Sequence, residues 1–418
     1  MSATSPSPEA PGASTAPIKG DVLKALPVDG GGLDGGGDAA TSSPDWRNAL
    51  RGATRRCILF FALVATPAHA QAIGAPSARI DPDGTVHAPA FLAPFSTYAS
   101  PEAKADFIKT HQPGHTSAAM AGVNHGDPKI LRETLDKALA PRIEHAKAVY
   151  PVTLEPWTVD GVYTDIVTPA SGVPARNARR VLINLHGGGF LFGARTVGLM
   201  ESIPIASVAG MKVVTVDYRQ GPENHFPAAS EDVATVYRAL LKQYKPEDIG
   251  IFGCSAGGML TGEALIWFQT HNLPTPGAAG IFCAGAGHTL EGDSRYFSAA
   301  LNGQIPPPPS TPDKPGNLPM AYFDGANPKD PQVTPLESPA MMAKFPPTLL
   351  VTATRDIAMS PVITTHETLT RLGVDAELHV WDGLQHSFFT NIDLPESKEY
   401  FDVVARFFDK HLGRSHQS

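Results

Sequence analysis

Ile249-Gly250-Ile251-Phe252-Gly253-Cys254-Ser255-Ala256-Gly257 runs from an apolar stretch directly into the pattern G-x-S-x-G. The first four residues read as a buried strand, and those from Ala256 to about Thr270 as a helix. At a strand-to-helix turn this pentapeptide holds its serine on a sharp, strained elbow with Oγ exposed. The flanking glycines are needed because a β-carbon there would collide with neighbouring backbone. Upstream, Val181-Leu182-Ile183-Asn184-Leu185 is a second buried strand, leading into His186-Gly187-Gly188-Gly189-Phe190. A glycine run leaves N–H groups uncovered, so that they can point at a developing oxyanion. With Gly and Ser each at roughly 7% usage, the pentapeptide alone arises by accident about 0.1–0.2 times in a chain of this length. Its place after a strand, before a helix and downstream of the glycine run is what makes Ser255 a candidate nucleophile.

Working outward, strands and helices alternate. Lys212–Val216 reads as a strand, residues 230–244 as an amphipathic helix with Val233, Val236, Tyr237, Leu240 and Leu241 on one face, and residues 279–283 as a strand. After residues 348–352 comes a helix with Ser360 as cap and Pro361 in its first turn, then a strand over 376–380 and a closing helix over 399–412. Such alternation predicts an α/β fold, a mostly parallel sheet with helices on both faces. Two segments stand outside the pattern. Residues 95–150 are helical, notably 128–148 with Ile130, Leu131, Leu135, Leu139 and Ile143 at helical spacing, and are expected to form a cap over the site. Residues 285–340, with Pro306-Pro307-Pro308-Pro309, are expected to be an irregular excursion that walls the pocket.

A serine hydroxyl is a poor nucleophile until a base takes its proton, and the base needs an acid to fix its tautomer. In the fold that a G-x-S-x-G elbow of this kind marks, these partners come from turns at strand C-termini, in the order Ser, Asp or Glu, then His. Asp356, in Ala353-Thr354-Arg355-Asp356, follows one late strand; His386, in Leu384-Gln385-His386-Ser387, follows the next. His271 and His366 lie in helical contexts and read as surface residues.

The chain has 418 residues, a formal charge of -8 and the composition of a soluble globular protein. Residues 1–45 are rich in Gly, Pro, Ser and Ala and read as a disordered extension. Residues 46–70 have the architecture of a secretory signal peptide: Arg47, Arg51, Arg55 and Arg56, a short apolar run from Cys57 to Ala65, and Ala68-His69-Ala70 before Gln71. The apolar run is too short to span a bilayer. Export to the periplasm or medium is therefore expected, with residues 71–418 as the mature domain. In residues 1–70 the six bases (Lys19, Lys24 and the four arginines) cancel six acids (Glu9, Asp21, Asp29, Asp34, Asp38, Asp45), so the negative charge belongs to the mature part. An acidic body argues against nucleic acid or anionic membrane as partner. Cys254 and Cys283 are expected as buried free thiols, and with no CxxC, HExxH or EF-hand pattern neither metal nor cofactor is inferred.

Taken together, these residues resemble the hormone-sensitive-lipase-like family of α/β-hydrolases, over roughly residues 180–390. His186-Gly187-Gly188-Gly189-Phe190 resembles the family's HGGGF element. The stretch from Asp217-Tyr218-Arg219 to Phe226-Pro227-Ala228-Ala229 resembles D-Y-R-L-A-P-E-H-P-F-P-A-A, and Tyr322-Phe323 through Asp330-Pro331 to Pro335 resembles the segment before the acid strand. The resemblance implies a triad of Ser255, Asp356 and His386, and an oxyanion hole from N–H groups of Gly187, Gly188, Gly189 and Ala256. It implies that His186 supports the glycine loop without transferring protons, and that Asp217, Arg219 and Glu223 are scaffold residues. Four places depart from the family pattern: Cys254 replaces an Asp before the nucleophile, Asn224-His225 replaces His-Pro, Ser360 stands for a second Asp, and Ser387 replaces the glycine after the histidine. The expected function is hydrolysis of small-molecule esters with short or medium acyl groups. An amidase with the same machinery, or a non-catalytic ligand-binding protein on the same fold, are the alternatives.

Overall fold

The computed structural model of the protein describes residues 77–112, 127–287, 290–304, 307 and 320–413. The 1–45 extension, the 46–70 signal segment and most of the proline run lie outside the described residues. The chain divides into two units, Met1–Ala90 and Phe91–Ser418. In the first, β1 (Arg79–Ile80) and β2 (Val86–His87) form an antiparallel ribbon, with Asp81 bonded to Arg79 at 3.0 Å and to His87 at 2.6 Å.

The second unit opens with α1 (Pro101–Thr110) and α2 (Pro128–Val149). Asp127 caps α2 by accepting the Lys129 amide at 2.8 Å, and Pro128 sits where no donor is needed. An antiparallel hairpin follows, β3 (Val152–Val159) and β4 (Val162–Pro169), which was not legible in the sequence. Its outer strand is mostly exposed and interrupted by Pro156, so it lacks the apolar run that marks the inner strands. Then come β5 (Val181–Leu185), α3 (Val197–Ala209), β6 (Lys212–Val216), α4 (Ala228–Leu240), β7 (Ile249–Cys254), α5 (Ala256–Thr270) and β8 (Ala278–Phe282). The chain ends with α6 (Ser294–Leu301), α7 (Pro339–Met342), β9 (Thr348–Arg355), α8 (Met359–Arg371), β10 (Ala376–Gln385) and α9 (Pro395–His411). The sheet order is β10-β9-β8-β7-β5-β6-β4-β3, parallel from β10 to β6 and antiparallel at the hairpin.

The inner strands carry apolar residues on both faces because each feeds two cores. In β5, Val181, Ile183 and Leu185 face the core built on α4, α5 and α8, while Leu182 faces the one built on α3 and α9. In β7, Ile249 and Ile251 take the first side, Phe252 and Cys254 the second. Each fully buried side chain of this kind contributes about 1.5–3 kcal/mol relative to exposure, which fixes register and brings the C-terminal ends of β5, β7, β9 and β10 to one rim.

Several boundaries differ from the sequence reading. The strands β9 and β10 run on to Arg355 and Gln385, so Asp356 and His386 follow them without a gap. The excursion 285–340 contains α6, which the Ser, Pro and Gly around it conceal. Ser360 lies inside α8 rather than at its cap; the first-turn amide of Ala358 is instead accepted by the Asp356 carboxylate at 2.8 Å.

Candidate active site

The turn from β7 to α5 puts Ser255 at φ 58°, ψ -121°, a backbone shape that costs a non-glycine residue about 1–3 kcal/mol. Close packing holds it there. A β-carbon on Gly253 or Gly257 would fall on the carbonyl of Leu185, so the elbow can press against the end of β5 only with glycine at both positions. The amide of Ser255 donates to the carbonyl of Phe282 at 2.8 Å, tying the turn to β8.

Asp356, fully buried, accepts three hydrogen bonds: from His386 Nδ1 at 2.7 Å, from the Ala358 amide at 2.8 Å and from Thr352 Oγ1 at 3.0 Å. Burial pushes its pKa up, but the His386 charge and these donors overcome that and hold the carboxyl below its ordinary value. Burial likewise works against charge on His386, and the Asp356 carboxylate overcomes it, raising the imidazole above 6.5. With Nδ1 engaged, Nε2 is the nitrogen left to exchange a proton. Ser255, His386 and all three glycines of 187–189 line one cavity of about 850 Å³.

The glycine loop departs from expectation at one point. The Gly187 amide donates to Glu201 at 3.0 Å, so it faces away from an oxyanion. Among the described residues the amides of Gly188, Gly189 and Ala256 have no acceptor, which leaves these three as the candidate donors. His186 is fully buried and stacked on Tyr218 at 4.2 Å, with Nδ1 bonded to the Gly187 carbonyl at 2.8 Å. Burial depresses its pKa to about 4, so it is neutral and braces the loop. Arg219 pairs with Asp232 and Glu231, and Asp217 with Arg195. Glu223 takes both nitrogens of Arg132 at 2.8 Å, and Arg132 also donates to the carbonyls of Leu191 and Gly221 at 2.7 Å. That guanidinium pins α2 beside the glycine loop, and Leu135, Ala138, Leu139 and Arg142 of α2 line the cavity. Asn302, Gly303 and Gln304, just past α6, line it as well.

The departures from the family pattern make contacts of their own. Cys254 Sγ and Ser387 Oγ are 2.9 Å apart, so the residue before the nucleophile bonds the residue after the histidine. Ser387 sits at φ 55°, which explains why glycine suits that position. Ser360 exchanges bonds with Ser294, its Oγ accepting the Ser294 amide at 3.0 Å and its own amide donating to Ser294 Oγ at 2.9 Å. Cys254 and Cys283 are free, buried thiols. Donor atoms of Cys283, Asp356 and His386 lie within 4.8 Å of one another, but the latter two are already bonded to each other, and the neighbouring Cys254 side chain, together with burial, raises the Cys283 thiol well above its ordinary pKa. That arrangement is a hydrogen-bonded pair beside a thiol and makes a poor ligand set.

A family model described as alpha/beta hydrolase fold matches residues 182–390. The chain belongs to the α/β-hydrolase family. Among its relatives, an acetyl-hydrolase of Streptomyces hygroscopicus is 27% identical over 249 residues, covering 57% of this chain and 79% of that protein. An esterase of Acinetobacter venetianus is 25% identical over 276 residues, 65% of this chain and 88% of that one. Among solved structures, esterase E25 has a TM-score of 0.64 at 28% identity, covering 77% of this chain and 98% of its own. An esterase from the bacterial hormone-sensitive lipase family has 0.61 at 27%, covering 75% and 99%. This α/β-hydrolase is thus a carboxylesterase-like enzyme of the hormone-sensitive-lipase type. Among the described residues, no helix of the hydrolase is long and apolar enough to cross a membrane.

Proposed function

We propose that the enzyme hydrolyses esters of short or medium acyl groups through a Ser255–His386–Asp356 triad and an acyl-enzyme. His386 Nε2 takes the proton of Ser255 Oγ as Oγ bonds to the ester carbonyl carbon. The carbonyl oxygen becomes an oxyanion facing the amides of Gly188, Gly189 and Ala256, each donor worth about 3 kcal/mol. Collapse breaks the bond to the alcohol, which leaves with the proton from His386. Water then gives a proton to His386, attacks the acyl carbon and releases the acid, and Ser255 recovers its proton. The observation that carries this reading is the 2.7 Å His386–Asp356 bond in the cavity shared by the strained Ser255 and the glycine loop. The acetyl-hydrolase among the relatives supports small acyl groups. Export remains part of the same proposal and rests on residues 46–70.

The test is a series of p-nitrophenyl esters of rising acyl length beside matched amides. Highest kcat/KM between acetyl and about octanoyl, with amides slower, is expected; peak rates on long chains or on amides would contradict the substrate assignment. A pure ligand-binding role is opposed by the presence of all three triad residues.

The base must be neutral to act, so kcat/KM is expected to fall as pH drops through the raised His386 pKa, with its acid limb centred above 6.5. The sign for stability is opposite. The ionised pair stabilises the fold fully below pH 6.5, and that contribution is lost as pH rises through the folded-state value. A kcat/KM profile flat from pH 5 to 8 would remove His386 from the role of base.

A further inference from the structure

Glu201 enters no step above, yet it is 2% exposed and lines the cavity that holds Ser255. Its carboxyl gathers two donors from the end of β5 and the glycine loop that follows it. Oε1 accepts the Gly187 amide at 3.0 Å, and Oε2 accepts Asn184 Nδ2, near the end of β5, at 2.8 Å. The backbone of Cys254, immediately before the nucleophile, lies beside the same carboxyl and favours its charged form. The convergence is tight. A β-carbon on Gly187 would lie 3.1 Å from the Cys254 carbonyl oxygen, 3.5 Å from Glu201 Oε1 and 3.5 Å from Ser255 Cβ. Burying a carboxyl is unfavourable unless its bonds are needed, and burial pushes its pKa up to about 8 against the pull of Asn184 and the backbone around it. The sequence around it, Leu199-Met200-Glu201-Ser202-Ile203, is otherwise that of a core helix, so an aliphatic residue would be the ordinary choice.

We propose that Glu201 is a positioning residue for ester hydrolysis. By holding the Gly187 amide and the Asn184 side chain on one carboxyl, it fixes the glycine loop where that loop packs against Cys254 and Ser255 of the nucleophile elbow. It thereby sets where Gly188, Gly189 and Ala256 meet the oxyanion. The proposal rests on the acyl-transfer reading above and adds to it a residue that transfers no proton and forms no bond to the acyl group.

Three variants test it. Glu201→Leu fills the space but leaves the Gly187 amide and Asn184 Nδ2 without an acceptor. Glu201→Gln keeps Oε1 for Gly187, and its Nε2 can donate to Asn184 Oδ1, which has no donor at present. Glu201→Asp keeps a carboxyl but withdraws it from the loop by one methylene. Each is measured for p-nitrophenyl butyrate turnover, for melting temperature, and for inhibition by an alkyl boronic acid, whose tetrahedral Ser255 adduct needs the same amides. Glu201→Leu is expected to lower kcat about 10²-fold with KM little changed, and to weaken the boronate by the same factor. Glu201→Asp should lose about 10-fold in both, and Glu201→Gln should stay within about fivefold of wild type. The Asp variant decides the matter should the Leu variant not fold. Variants with near-wild-type turnover and boronate affinity would overturn the proposal. So would turnover lost without parallel loss of boronate affinity, or Gln as damaged as Leu with both melting early. A wild-type protein that neither turns over the ester nor reacts with a fluorophosphonate fails at the earlier step, and brings the parent reading down first.

Discussion

Ser255→Ala is expected to lower kcat on p-nitrophenyl butyrate by about 10⁴-fold or more, with the fold and melting temperature kept. The substitution removes one oxygen at a half-buried elbow and leaves Gly253 and Gly257 packed against Leu185, so stability has little to lose. The residual rate would be what positioned amides supply to direct attack by water. Alanine tolerates the φ of 58° no better than serine, so a modest destabilisation leaves the interpretation unchanged. Steady-state assays on the purified variant, with active-site titration of wild type, measure this. Turnover near the wild-type level would show that another residue attacks the ester.

Asp356→Asn is the second large effect, a fall in kcat of about 10³–10⁴-fold. Oδ1 of Asp356 receives both the Ala358 amide and His386 Nδ1. An asparagine can keep its carbonyl there and turn Nδ2 toward Thr352 Oγ1, which is able to accept. The imidazole would then keep its place and tautomer but lose the charge that stabilises its protonated form. Burial would act on His386 unopposed, so its pKa would drop and the acid limb of kcat/KM would move below that of wild type. A large loss of kcat with an unmoved limb would mean that the group titrating in the profile is not His386.

The site was more legible in the sequence than the fold around it. Ser255 and Asp356 each follow a buried strand and His386 a longer strand of mixed character, and the chemistry of each side chain made it a candidate. Ala256–Thr270 was bounded correctly because the G-x-S-x-G turn fixes its start. The β3–β4 hairpin was missed because an exposed outer strand with an internal proline has neither a continuous apolar run nor clean alternation. Helix Val197–Ala209 was missed for the opposite reason: it is buried nearly all round and carries Pro204, so no polar face marks its period. Glu201 could not be assigned from sequence at all, since its role depends on bonding Gly187 where that residue packs against Cys254 and Ser255 in space. The contact between Cys254 and Ser387 was equally out of reach, as two departures 133 residues apart gave no sign that they touch.

Mass spectrometry of the intact protein after exposure to a fluorophosphonate at mildly alkaline pH tests the nucleophile most directly. A single adduct is predicted, mapped to the peptide that carries Ser255 and missing from the Ser255→Ala protein. Ester turnover by a chain that takes up no adduct, or takes it up on a different side chain, would contradict the account.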